Sequence, residues 1–399
     1  MSTPRDTADE PLAEAGRHFL LRPDIIFLNH GSFGACPAPV FATYQQWQRT
    51  LEEQPVEFLG RRHRALLMEA GDSLARYLGA RREDLAFVPN ATHGMNIVAH
   101  SLVPTLAPGD EVLGTDHEYG AVERTWTLLC DQRGAHYRTQ AIALPVSTHE
   151  ALVEQLWAGV TARTRIIVVS HITSPTALTF PIERICRRAS AQGILTVVDG
   201  AHAPGQLDLA LDALGADYYM GNLHKWVCAP KGAAFLYARP ERQAALQPLV
   251  VSWGWRSRDP GISPFQDYFE WIGTDDPAAY LSVPAAIAFQ AQYNWPAVRA
   301  ACHALAVRAA ERIAALTGLP PVSPATTDWW VQMCAIPLPT TGLSAEELKR
   351  RLWEDYQIEV PIVEWQERRF VRISIQAYTR PRDVDRLVEA LAELLGRST

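Results

Sequence analysis

No two cysteines in this 399-residue chain stand at C-x-x-C spacing, and the six present, Cys36, Cys130, Cys186, Cys228, Cys302 and Cys334, are dispersed along it. That pattern suits reduced thiols in a reducing compartment and argues against a disulfide frame or a zinc cage. No stretch approaches the roughly 18 apolar residues of a membrane span. The N-terminal "MSTPRDTADEPLAEAG" is polar and acidic and lacks the apolar centre of a signal peptide, so a cytoplasmic location with no membrane partner is expected. Positive charge is also short: the formal net charge is -7, and no basic face capable of neutralising a run of phosphates is expected. Nucleic acid is therefore not an expected partner. Neither G-x-G-x-x-G nor a Gly-Lys dipeptide occurs, which removes the strongest dinucleotide and phosphate-loop signatures. H-E-x-x-H is absent too, and no metal is expected.

What is present is a globular composition, 48% hydrophobic, in a chain long enough for one large domain or two unequal ones. Apolar, β-rich runs alternate with amphipathic helical stretches through most of the first 275 residues: "DLAFVP", "EVLGT", "RIIVVSH", "ILTVVDG" and "AAFLYA" are the clearest. Between two of them lies "PIERICRRASAQG", with Ile182, Ile185 and Cys186 at helical spacing and Gly193 as a stop. Strand and helix repeated at this interval imply right-handed crossovers and an α/β domain with a mostly parallel sheet. After about residue 280 an Ala-rich helical region, interrupted at Pro296, reads as a connector into a smaller α+β domain with strands in "WVQMCAIPL" and "RFVRISIQ".

Two residues invite a chemical reading. Asp199 closes the run "ILTVV" and so stands at the carboxyl end of a strand, where open α/β sheets bind ligands. Lys225 follows 26 residues later, between His224 and Trp226 in "GNLHKWVCAPKG". A desolvated ammonium beside other donors loses its proton more easily and becomes a nucleophilic amine. Taken singly, a turn carboxylate and a surface lysine remain the alternatives.

"VVDGAHAPGQ" followed by "GNLHKWVCAPKGAAFLY" resembles the cofactor signature of the class V aminotransferases, fold type I enzymes that use pyridoxal 5'-phosphate. "FLNHGSFGACPAPV", "EEQPVEFLGRR" and "GTDDPAAYLSVPAAIAF" are similar to the isopenicillin N epimerase-like branch. The resemblance implies an N-terminal arm over 1–24, a large cofactor-binding domain over 25–280 with a seven-stranded type of sheet, and a connecting helix with a small domain over 281–399. It implies that Lys225 binds the cofactor covalently and then acts as acid and base at the substrate α-carbon. Asp199 would pair with the ring nitrogen, and His202 would lie near the ring oxygen. Ala91, Thr92 and His93 would hold the phosphate at a helix start, helped by Asn222 and His224. Thr274 would reach the phosphate of a neighbouring subunit, which implies a homodimer.

The same resemblance places His117 or Tyr119 over the cofactor ring, Thr173 and Ser174 near its oxygen, and Arg372 on the substrate carboxylate. Asn29, His30 and Gly31 would face the substrate. The pattern also departs from the family: Thr173 and Ser174 stand where desulfurases carry asparagine, and "DYQIEVPIVEWQERRFV" contains no cysteine, which excludes thiol-type desulfurase chemistry. The implied function is chemistry at the α-carbon of an amino acid or amino-acid-containing metabolite. Epimerisation comes first, β-elimination of a sulfur amino acid next and transamination third; a non-catalytic sensor or scaffold is the alternative from another class.

Overall fold

A computed structural model describes residues 10–261 and 263–397, so the first nine residues of the expected N-terminal arm lie outside the described residues. The strands in chain order are β1 (Ile26–Phe27), β2 (Leu85–Val88), β3 (Glu111–Thr115), β4 (His136–Gln140), β5 (Thr164–Ser170), β6 (Leu195–Asp199), β7 (Tyr218–Asn222), β8 (Ala234–Ala238), β9 (Met333–Leu338), β10 (Ile358–Glu359), β11 (Ile362–Trp365) and β12 (Arg368–Ser374).

Seven of these form one sheet in the order β2-β8-β7-β6-β5-β3-β4. β8 runs antiparallel to both its neighbours and the other pairings are parallel. The architecture is thus the α/β, mostly parallel sheet expected from the alternating pattern. Its central strands are largely apolar runs because both faces are covered there. Alternation within β5 shows this: Ile166 and Val168 enter one core cluster with Val197 and Met220, while Ile167 and Val169 enter the other with Val198 and Tyr219.

The second body is the antiparallel sheet β11-β12-β9, on which the long helix Trp295–Thr317 packs, with the helix Pro381–Leu394 beside that helix. The early chain ties the two sheets together. β1 pairs with β10, and Asn29 bridges to Ser374 at the end of β12. This brings the loop after β1 over the carboxyl ends of β5, β6 and β7, where the crevice of an open parallel sheet lies.

Candidate active site

β6 ends at Asp199 and β7 at Asn222, and a cavity of about 510 Å3 opens above them. Its walls include Gly31, Tyr119, Asp199, His202, Asn222, Lys225 and Arg372, contributed by parts of the sequence up to 341 residues apart. A second cavity, about 420 Å3, lies near Arg61, Trp253 and Trp271, but no lysine lines it, and its three carboxylates are engaged: Glu270 by Arg82, Asp259 by Arg64 and Asp267 by the Gly261 N–H.

One end of the main cavity is built by a helix start. Asn90 is extended and its Oδ1 accepts a hydrogen bond from the backbone N–H of His93 at 2.8 Å, capping the helix Ala91–Leu102. Ala91 donates its backbone N–H to Asn222 Oδ1 at 2.9 Å, so the helix is pinned to the end of β7. Ala91, Thr92 and Asn222 line the cavity there, and the positive end of the helix attracts an anion. His93 does not line it; only its backbone is engaged, in the cap.

Asp199 forms the floor. It is buried, and its Oδ1 accepts from Ala201 N at 2.9 Å. Burial pushes its pKa up, opposed by that hydrogen bond and by the Lys225 charge, so the carboxylate needs a cation opposite it. Lys225 Nζ lies 3.3 Å from His202 Nε2 on the turn after β7. Desolvation lowers the Lys225 ammonium to about 8; Asp199 works against this and Arg372 with it. His202 is held well below its ordinary value by burial, then by the charges of Lys225 and Arg372, and is therefore neutral. The buried indole of Trp226, which can only donate, gives its N–H to His202 Nδ1 at 3.3 Å. This puts the ring's own hydrogen on Nε2, facing the amine of Lys225.

Arg372 crosses from β12 into the opposite wall. It donates Nη1 to the carbonyl and hydroxyl of Ser174, and Nη2 to Ser32 Oγ at 3.3 Å. Its buried Nε has no partner among the described residues. Burial lowers even this guanidinium to about 10, so an anion opposite its charge is favoured.

Several expected residues are placed elsewhere. His117 is fully buried away from the cavity: Nδ1 meets Thr176 Oγ1 at 2.6 Å, Nε2 meets the Ile142 carbonyl at 3.0 Å, and the ring packs on Trp365. Tyr119, half exposed, lines the cavity instead. Thr173 is also buried, bonded to Thr176 and to the N–H of Leu178 in its own turn, whereas Ser174 reaches the cavity wall. Of Asn29, His30 and Gly31, only Gly31 lines the cavity. Asn29 is held by Glu359 and Ser32, and His30 bridges the Tyr378 hydroxyl and the Lys225 carbonyl, each at 3.0 Å. Thr274 is exposed and does not line the cavity of its own chain.

Residues not singled out from the sequence complete the walls. Ser32 and Ser170 are two, and Lys231, which donates to the Gly34 carbonyl at 2.9 Å, is a third. Scarcity was the available signal for Lys231: the chain has three lysines, Lys225, Lys231 and Lys349, and two of them line this one cavity.

An anion-attracting helix end, a buried carboxylate and a desolvated primary amine, spaced around one cavity, are the donor set that fits pyridoxal 5'-phosphate: phosphate, ring nitrogen and aldehyde. The class V aminotransferase family model matches residues 35–387. The chain is 38% identical to the isopenicillin N epimerase of Amycolatopsis lactamdurans, over 96% of this chain and 98% of that protein. It is 27% identical to a probable chloroplastic L-cysteine desulfhydrase of Arabidopsis thaliana, over 94% of this chain and 83% of the relative. Among solved structures, the cysteine desulfurase CsdA from Escherichia coli superposes with a TM-score of 0.78 at 21% identity, covering 96% of this chain and 98% of that one. C-DES with glycine covalently linked to its PLP cofactor gives 0.79 at 20% identity, covering 93% and 97%. The chain belongs to the class V aminotransferase family and is an enzyme with the pyridoxal 5'-phosphate chemistry of that family.

Proposed function

We propose that this enzyme removes and returns the proton at the α-carbon of an amino acid or amino-acid-containing metabolite, in the manner of an epimerase. The observation that carries the reading is the placement of the Lys225 amine, desolvated to a pKa near 8, between Asp199 and Arg372 in one cavity. The 37–38% identity to two isopenicillin N epimerases supports it.

Each residue then has a task. The N–H groups at the start of Ala91–Leu102 bind the phosphate, and Asp199 keeps the ring nitrogen protonated. When bound, pyridoxal 5'-phosphate supplies an electron sink for the pair left at the α-carbon. Arg372 grips the substrate carboxylate and so orients the α-hydrogen. Lys225 is the residue that would hold the cofactor aldehyde, and its neutral amine would take the α-proton and hold it as an ammonium. Delivery of a proton to the opposite face gives the epimer and requires a second donor; Tyr119, which lines the cavity, is assigned that task. Thr274 is assigned to the cofactor phosphate of a second subunit in a homodimer, and the enzyme to the cytoplasm.

β-Elimination from a sulfur amino acid is the second reading, favoured by the 27–29% identity to L-cysteine desulfhydrases and related proteins. Incubation with a panel of amino acids in deuterated water separates the two. Exchange at the α-carbon with loss of chirality supports the epimerase; pyruvate with ammonia supports the lyase; keto acid with conversion of the cofactor to its amine form makes it an aminotransferase.

A further inference from the structure

Behind the cavity floor lies a second carboxyl with no task in the chemistry above. Glu118, in the turn after β3, is buried, and its oxygens meet two hydroxyls and no cation: Oε1 accepts from Thr115 Oγ1 at 2.6 Å, and Oε2 lies 2.6 Å from Ser170 Oγ. Ser170 ends β5 directly beside Asp199 on β6, and both line the cavity. Glu118, Ser170 and Asp199 thus run in series from the protein interior to the cavity.

We infer that Glu118 is a positioning residue of this site, a carboxyl that holds its proton on the acid side of neutrality and there turns the Ser170 hydroxyl hydrogen toward the cavity. The inference rests on the cofactor reading of that cavity for its consequence, and on local geometry for its premise. Thr115 Oγ1 already accepts the backbone N–H of His117 at 3.2 Å, so its hydrogen goes to Glu118 Oε1. A neutral Glu118 gives its own hydrogen to Ser170 Oγ and leaves the serine hydrogen free to face Asp199 or a bound ring. An ionised Glu118 takes the serine hydrogen for itself. The titratable groups facing Glu118 are Asp199 from β6 and Tyr137 from β4, neither of them a cation, and the Asp199 charge adds to burial in favouring the acid. Burial, the largest cause, raises Glu118 to about 7, against the hydrogen bonds from Ser170 and Thr115, which favour the anion. Asp199, with Lys225 opposite, is left as the anion of the floor.

Glu118→Gln reproduces the neutral acid, an acceptor toward Thr115 and a donor toward Ser170, and cannot ionise. In thermal unfolding without added cofactor, the unfolded wild type loses the Glu118 proton near 4.5 and the folded one near 7. Wild-type stability therefore falls across that window, and E118Q gains on it as pH rises. A difference that stays flat across the window overturns the inference. With cofactor bound, the visible band of the wild type shows an inflection near pH 7 that E118Q lacks; a variant that keeps the inflection overturns it equally. If E118Q does not fold, infrared spectra of wild type and Ser170→Ala decide. The acid carbonyl band of residue 118 is present below pH 7 and shifts when its serine partner is lost; a carboxylate band there contradicts the assignment. Failure to bind cofactor at all refutes the reading of the cavity, while the stability titration still reports on Glu118.

Discussion

Lys225 Nζ and His202 Nε2 stand 3.3 Å apart, with the hydrogen on the histidine because Trp226 donates to its other nitrogen. A protonated lysine would set two donors against each other, whereas a neutral amine accepts from His202. The arrangement agrees with burial in favouring the free base. Covalent capture of pyridoxal 5'-phosphate, followed by its absorbance, is predicted to accelerate with pH around a midpoint near 8 rather than near the ordinary 10.5 of lysine. A midpoint at the ordinary value contradicts this environment.

The same shift makes a stability prediction for the cofactor-free protein. The folded-state pKa of Lys225 is depressed, so between about 8 and 10.5 the unfolded chain binds more protons and wild-type stability rises with pH. Below that window the buried ammonium is a cost. Lys225→Met, which cannot titrate, is predicted to lose ground against wild type as pH rises from about 8 to 10.5. Denaturant titrations at several pH values measure the difference, and one that stays flat across that window contradicts the shift.

Arg372 has a buried, unpartnered Nε and two partnered terminal nitrogens. Removing it takes away a charge-assisted contact worth about 2 kcal/mol, so Arg372→Ala should raise KM for an amino-acid substrate about 30-fold or more. Arg372→Lys restores a point charge without the planar fork and should recover only part of that loss. Steady-state kinetics on both variants, with substrates bearing and lacking the α-carboxylate, test it. Equal losses on the two substrates would mean the arginine reads something else.

Gly34 has φ +71, and a Cβ there would sit 1.9 Å from the His224 carbonyl oxygen and 2.9 Å from Lys225 Cα. The early loop lies that close to the lysine turn. Gly34→Ala should destabilise the fold by more than about 2 kcal/mol and loosen the contacts of His30 and Lys231 that bind the loop down. Calorimetry and the cofactor dissociation constant measure the two effects.

Strands buried on both faces were the easiest part to read, because "EVLGT", "RIIVVSH" and "ILTVVDG" are apolar without interruption and coincide with β3, β5 and β6. β4, "HYRTQ", was not legible: it is a polar edge strand whose pairing with β3 supplies the order its composition does not. At the site, Asp199 and Lys225 were legible from position and spacing and Arg372 from the family resemblance, and the structure brings all three to one cavity. His117 and Tyr119 show the limit. They are two residues apart, and which one faces the cavity is decided by the turn after β3, where Thr176 and Ile142 draw the histidine inward. His30 is a similar case: its partners, Tyr378 and the Lys225 carbonyl, come from segments remote in the chain. Glu118 gave no signal, since a lone glutamate in a turn is ordinarily solvated.

Reduction with borohydride in the presence of pyridoxal 5'-phosphate, followed by peptide mass mapping, tests the central claim most directly. The prediction is one cofactor adduct per chain, on the peptide that carries Lys225, absent in Lys225→Ala and leaving Lys231 and Lys349 unmodified. An unmodified Lys225 in the presence of ample cofactor, or an adduct carried by Lys231 in its place, would contradict the account.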